Sequence, residues 1–304
     1  MKAIIFYSLI ILFLGCQTSE KKPLAANVVE NSKASKVSPA ANRTLTEAFK
    51  KYWYAGVAEI TSYELKQARY GEIREGHAVM VFVTEDFLPS KQVKADRFSE
   101  DNIPVLKLNS TKKFLTGIYP YSMITSTFNP VNKKDHALKV SHSTQEWCGH
   151  VYMQLNNKRE FEIESHSYFE SEGDQELKLE KTWLEDELWN LVRINPEELP
   201  TGDLQVLPSF ESIRLKHQET KAQPAHGLLK HGENLSHYTL DYPSVKRKLT
   251  IYFKSNFPFE IQKWEEVHPN GLITTGAIKK RILSAYWGKN SNQDLELRNE
   301  LDLD

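Results

Sequence analysis

The chain has 304 residues, 39 basic against 40 acidic, and a formal charge of -1. That balance excludes a protein drawn to nucleic acid or to anionic surfaces by its overall field. Its two cysteines, Cys16 and Cys148, provide no disulfide framework, so stability has to come from packing.

Lys2 is followed by an apolar run from Ala3 to Leu14 and then by Gly15 and Cys16. A charged start and a short apolar core describe a secretory signal, because a spanning helix needs about 20 apolar residues. Phe13-Leu14-Gly15-Cys16 resembles a bacterial lipoprotein signal. The resemblance implies cleavage before Cys16, lipidation of that cysteine and attachment to the outer membrane through the lipid, with Gln17 next to it arguing against inner-membrane retention. The alternative is an ordinary cleaved signal with an incidental cysteine. Residues 17–43 lack aromatic residues and a sustained apolar period, the composition of a flexible tether.

Thr44-Leu45-Thr46-Glu47 has capping-box spacing, and Leu45, Ala48, Phe49, Tyr52 and Trp53 follow at helical intervals, predicting a short helix to Tyr54. From Gly56 the period is that of strands. Val79–Val83 reads as a strand covered on both faces. Leu106–Thr111 and Phe114–Tyr119 read as two arms around a Thr-Lys-Lys turn, followed by a strand at Met123–Phe128. Leu138–Leu155 and Phe161–Phe169 flank a turn at Asn156-Asn157. Thr182-Trp183-Leu184-Glu185 starts a second helix, with Leu184, Leu188, Leu191 and Val192 on one face, which Pro196 stops. Strands are expected again at 206–210, 213–217, 237–242, 249–253, 259–267 and 272–287, with a hairpin at Asn270-Gly271. Residues 218–235 read as a long loop and 290–304 as a frayed, disordered tail. The fold class is therefore mainly β: a large curved antiparallel meander, half-barrel-like, with two short amphipathic helices. It occupies residues 44–289, either as one domain or as two sub-sheets divided near 182–200.

The chemistry-bearing types concentrate at 142–168. Read as one strand, period two places His142, Thr144, Glu146, Cys148, His150 and Tyr152 on one face and Trp147, Val151, Met153 and Leu155 on the other. A three-residue loop at Asn156-Asn157-Lys158 aligns the apolar faces of the hairpin, pairing His150 with Glu164 and Cys148 with His166. His142, Glu146, His150, Glu164 and His166 then have the types of a divalent-metal site, and Cys148 with His150 and His166 those of a thiol-imidazole catalyst. The same residues also suit a solvent face whose charges pair across strands, with Cys148 buried as a small apolar group. No other cofactor is indicated. Phosphate-loop, nucleophile-elbow, His-Glu-x-x-His and Cys-x-x-Cys signatures do not occur. Lys246-Arg247-Lys248 and Lys279-Lys280-Arg281 read as basic hairpin ends or exposed edges. The many aromatic residues suit a thick core or a concave surface for an apolar ligand.

The strands at 238–242, 248–253 and 258–264 resemble the meander of periplasmic half-barrel proteins related to lipoprotein carriers. Lys51–Ile60 and Gln145–His150 resemble an uncharacterised family of bacterial lipoproteins sometimes labelled septum formation inhibitor Maf. Maf proteins proper are nucleotide pyrophosphatases with a Ser-x-Ser-Pro-Arg-Arg motif. The nearest string here is Ser38-Pro39-Ala40, so none of their catalytic positions carries over. The expectation is a non-catalytic binder or carrier of an apolar or envelope ligand. An envelope enzyme at Cys148, His150, Glu164 and His166 is the second reading, and a structural or cell-division-linked partner of envelope proteins the third.

Overall fold

The computed structural model describes residues 41–303. The signal, Cys16 and the tether up to residue 40 lie outside the described residues. In chain order the elements are α1 (Glu47–Trp53), β1 (Ala58–Arg69), β2 (Glu72–Leu88), β3 (Val93–Lys94), β4 (Ile103–Thr116), β5 (Tyr119–Pro130), β6 (Lys139–Glu146), β7 (Gly149–Asn157), β8 (Phe161–Ser167), β9 (Gln175–Leu179), β10 (Trp183–Leu184), α2 (Glu185–Ile194), β11 (Gly202–Leu207), α3 (Phe210–Lys216), β12 (Gln223–Lys230), β13 (Leu235–Tyr242), β14 (Arg247–Lys254), β15 (Ile261–Val267), β16 (Ile273–Ser284) and α4 (Glu296–Glu300).

All the strands belong to one sheet in the order β10-β11-β12-β13-β14-β15-β16-β1-β2-β4-β5-β6-β7-β8-β9, with β3 paired to β2. Two meanders are thus joined by the long-range β1–β16 ladder, which runs from Ala58↔Ser284 to Lys66↔Thr275. Every pairing is antiparallel except β10 with β11. The outermost strands, β9 and β10, are far apart along the sheet but close in sequence. Leu179 and Trp183 are four positions apart, a reach of roughly 14 Å at most. The sheet must curl until its two edges nearly meet, yet no ladder joins them. This is the expected curved, barrel-like meander, left unclosed.

Because Leu184 ends β10 and Glu185 begins α2, the chain turns from the sheet edge directly into the lumen. Leu188, Leu191, Val192 and Ile194 of α2 are buried in one cluster with side chains of β1, β2, β4, β5 and β13–β15. Each end of the helix is held by charge. Near its start, Arg247 of β14 donates to both carboxylate oxygens of Glu185, at 2.5 and 2.6 Å. Near its end, Arg193 pairs with Glu59 of β1, at 2.5 and 2.7 Å. In the middle the Asn190 amide donates to the carbonyls of Leu106 and Thr127, at 2.9 and 3.2 Å. α2 therefore runs through the lumen between the two ends of the sheet.

Several expectations are corrected. The helix expected from Thr44 starts at Glu47 with Thr46 as its cap, accepting from Phe49 N. The tether ends before residue 43, because the Arg43 guanidinium is fixed by Glu198 at 2.7 Å and by the carbonyls of Pro130 and Val131. No turn occurs at Thr111-Lys112-Lys113; β4 runs through it, and Thr116 pairs with Tyr119 around Gly117-Ile118. Lys112 is paired on both sides, with Ala78 and with Met123, and its inward-facing ammonium meets Glu211 of α3 at 2.7 Å. The strand expected at 213–217 is instead the end of helix α3 (Phe210–Lys216), which is capped by Ser209 at its start and by His217 at its end. The expected loop at 218–235 contains β12, whose inward positions Ala225 and Gly227 are too small to register as a strand face. The tail is not frayed: Leu301 and Leu303 are buried against Ala58, Ile60 and Val83. That cover explains the continuous apolar run of β2, as expected of a strand with both faces protected.

Removing one partner of the Arg193–Glu59 pair leaves the other charge buried. Arg193→Met is expected to destabilise by about 3–5 kcal/mol in guanidinium unfolding, and adding Glu59→Leu should restore a large part of the loss. Additive losses in the double variant would show that the two residues are not energetically coupled.

Candidate functional site

The sequence-predicted cluster is not assembled. Glu146 pairs with Gly149, so Trp147-Cys148 is a two-residue turn and 138–155 is two strands. Such a turn joins position i to i+3 and exchanges parity, so even positions before it share a face with odd positions after it. His142, Thr144 and Glu146 thus point inward together with Val151 and Met153, while His150, Glu164 and His166 are exposed. The following loop does have the expected odd length, but it lies at Lys158–Glu160, with Asn157 opposite Phe161 and Leu155 opposite Ile163. The expected pairs His150–Glu164 and Cys148–His166 are replaced by Tyr152–His166 and Gln154–Glu164.

His142 is buried between the Thr125 and Thr144 hydroxyls, each 2.8 Å from a ring nitrogen. Burial, with Lys112 and Arg214 nearby, pushes its pKa down to about 3. Glu146 accepts from Cys148 N at 2.6 Å and faces Arg214 at 3.4 Å. His150 meets Ser143 at 3.1 Å, and His166 lies 3.4 Å from Asp174. Cys148 is exposed rather than buried, and hydrogen bonding to Glu146 raises its pKa, the reverse of an activated nucleophile. Among the described residues no group of three His, Cys, Asp or Glu side chains is placed to hold a metal ion.

A different constellation lies at the end of the lumen capped by α3. Arg247, taken from sequence as an exposed basic end, is only 3% exposed. Besides binding Glu185, its Nε donates to Glu266 of β15 at 2.6 Å. Tyr242 donates to Glu185 at 2.7 Å. Lys216 of α3 approaches Glu266 at 3.3 Å, and His268 lies 3.6 Å from it. Burial opposes the charges on Glu185 and Glu266, but Arg247 outweighs it and holds both carboxyls below their ordinary range. Asp186 has no such cation partner among its hydrogen bonds; its carboxylate accepts from Phe210 N at 3.1 Å. Burial, with Glu185 and Glu211 adding repulsion, pushes Asp186 up to about 8. Burial also lowers Lys216 and His268, so the imidazole is neutral near pH 7.

These groups surround two spaces. Inside, between α2 and the sheet, is a chamber of about 40 Å³ bordered by Lys112, Asp186, Trp189, Arg247 and Glu266. At roughly 10–15 Å³ per water it has room for a few waters. Outside it, between α3 and the turns at 70–71 and 268–272, is a cleft of about 420 Å³ lined by Gln67, Arg69, Tyr70, Lys216, His268 and Asn270 among others. Glu211 and Glu266 border both. The cleft is within the range of about 300–1,000 Å³ usual for small-molecule sites.

None of these residues was assigned to a site from the sequence, although a signal was present. Lys112 shares parity with Leu108 and Phe114, Arg247 with Leu249 and Ile251, and Glu266 with Trp264. A charge on the apolar parity of a strand marks a buried ionic group, because alternation places it on the core side.

No protein-family model matches the chain, and no curated protein matches it significantly. Among solved structures, the crystal structure of a β-barrel-like protein with a domain of unknown function from Brucella abortus is similar, with 8% identity, a TM-score of 0.43 and coverage of 75% of this chain and 98% of that one.

The raised pKa of Asp186 has a definite sign. Its ordinary value is 3.8 and its folded value about 8, so the stability associated with the neutral carboxyl is present below pH 3.8 and lost as pH rises through 8. Asp186→Asn should therefore gain stability relative to wild type between pH 5 and pH 8, as read from guanidinium midpoints. A difference that is the same at both pH values would mean that Asp186 titrates as an ordinary carboxyl.

Proposed function

We propose that the protein is a lipid-anchored binding protein of a bacterial envelope, attached through Cys16 to the outer membrane, and that it takes a small polar ligand in the cleft beside α3. The anchor follows from the lipoprotein-like signal at residues 1–16. The observation that carries the binding site is the contrast in space. Between α2 and the sheet, where an apolar ligand would have to lie, the chamber at the helix start keeps only about 40 Å³, whereas the polar cleft beside α3 offers about 420 Å³. An acyl chain does not fit the first, and the second is lined by hydrogen-bonding groups.

The balance of charge favours an acid. Glu211 is matched by Lys112 at 2.7 Å, Glu185 by Arg247 at 2.5 Å and Glu266 by Arg247 and Lys216 at 2.6 and 3.3 Å, so these three cations and three carboxylates balance and Arg69 is left as excess positive charge at the cleft. Gln67, Asn270 and the Tyr70 hydroxyl are suited to hydroxyl or carbonyl groups on the same ligand. Binding here requires no catalytic group, and His166 stands opposite Tyr152 instead of Cys148.

Native mass spectrometry of protein taken from its host is expected to find a small acid bound, and Arg69→Gln protein is expected to lose affinity by about tenfold, equivalent to about 1.4 kcal/mol, with an unchanged far-ultraviolet circular dichroism spectrum. A co-purified lipid, or empty protein whose midpoint is unmoved by phosphate and by a panel of hydroxy acids, would overturn this reading.

A further inference from the structure

Four neighbouring hairpin tips at the α3 end of the sheet carry large apolar side chains into solvent. Tyr70 is 56% exposed, Ile118 82%, Trp147 68% and Tyr168 81%. They form one ridge. The Tyr70 hydroxyl lies 2.8 Å from that of Tyr121, the ring of Tyr119 is 6.0 Å from Tyr121 and 6.3 Å from Trp147, and a carbon added at Gly149 would stand 3.4 Å from both Tyr168 and Phe169. The ladders of β2, β4, β5 and β6 do not require apolar residues at these tips, so fold stability does not account for them.

We propose that this ridge docks on the interfacial layer of a phospholipid bilayer. The inference rests on the membrane-anchored reading of Cys16. Three observations favour lipid over a protein partner. Tyr and Trp carry an apolar ring with a polar edge, the chemistry preferred at the headgroup boundary. Ile118, Trp147 and Tyr168 project from hairpin tips, and only Tyr70 also borders the cleft; a fluid surface can conform to such tips where a protein would need matching pockets. The chain outside the described residues is also long enough. Cys16 and Asn42 are separated by 25 residues, a reach of at most roughly 85 Å, while the 14 residues of β4 extend about 46 Å. Asn42 pairs with Lys133 at the opposite end, so a chain anchored at residue 16 can still bring the tips to the bilayer.

Cys148 lies within the ridge and is free, which makes it a native reporter. The protein is purified from host membranes, reconstituted with phosphatidylethanolamine and phosphatidylglycerol vesicles, and labelled with a nitroxide at Cys148. Collisions of the label with oxygen, relative to a water-soluble nickel complex, are expected to rise severalfold on vesicles. They should return to the aqueous value in Ile118→Ser/Trp147→Ser protein, whose unchanged melting curve would establish that it is folded. A label that remains aqueous on vesicles, or one shielded without vesicles by contact between copies, overturns the proposal. The mass of the N-terminal peptide tests the anchor separately. Acylated Cys16 with an aqueous label leaves the anchor and removes the docking; unacylated Cys16 with a bilayer-exposed label does the reverse.

Discussion

A helix enclosed by a sheet has to be held where its polar groups are satisfied, and here that condition is met by two arginine–carboxylate pairs at the ends of α2. Arg247 grips Glu185 at one end and Glu59 receives Arg193 at the other. The strands bearing these partners, β14 and β1, lie in different meanders joined through β16. The pairs therefore fix the helix and also the curvature that brings both halves around it. Burying such charges is costly unless each is paired and hydrogen-bonded, and the network meets that requirement with Tyr242 on Glu185, and Tyr52 and Arg281 on Glu59.

The same arrangement decides what the lumen can hold. A curved sheet with an empty interior would be a container for apolar cargo; filled by Leu188, Leu191 and Val192, it becomes a scaffold. The chamber at the start of α2 is small and ionic because the helix start brings Glu185 and Asp186 against strand residues that are themselves charged. The larger space lies at the mouth, where α3 and two turns form the polar cleft. The exposed aromatic ridge lies at that same end, so ligand capture and membrane contact would occur side by side.

The ionic cluster also separates two kinds of carboxyl. Glu185 and Glu266 are kept charged by Arg247, whereas Asp186, lacking a guanidinium partner, retains its proton to about 8. Three acidic groups within one small region thus respond to pH differently, through the position of a single arginine.

Local order was legible in the sequence. The switch to period two after Gly56, the amphipathic α2 with its stop at Pro196 and the turn at Asn270-Gly271 follow from backbone preference and side-chain spacing, which neighbouring residues settle among themselves. What the sequence alone did not disclose required knowing which distant segment supplies a partner. A strand pattern contains no address, so the β1–β16 ladder was invisible. The parity exchange at Trp147-Cys148 depended on a turn with no glycine or proline at its centre, and missing it placed His142 and His150 on one face. Arg247 read as a surface charge because only the folded chain brings it Glu185 and Glu266. Sequence determined that there would be a curved sheet and located α1 and α2, two of the four α-helices among the described residues. Tertiary structure decided that one of them would enter the lumen, since burial of charge is possible only where long-range packing delivers its counter-charge.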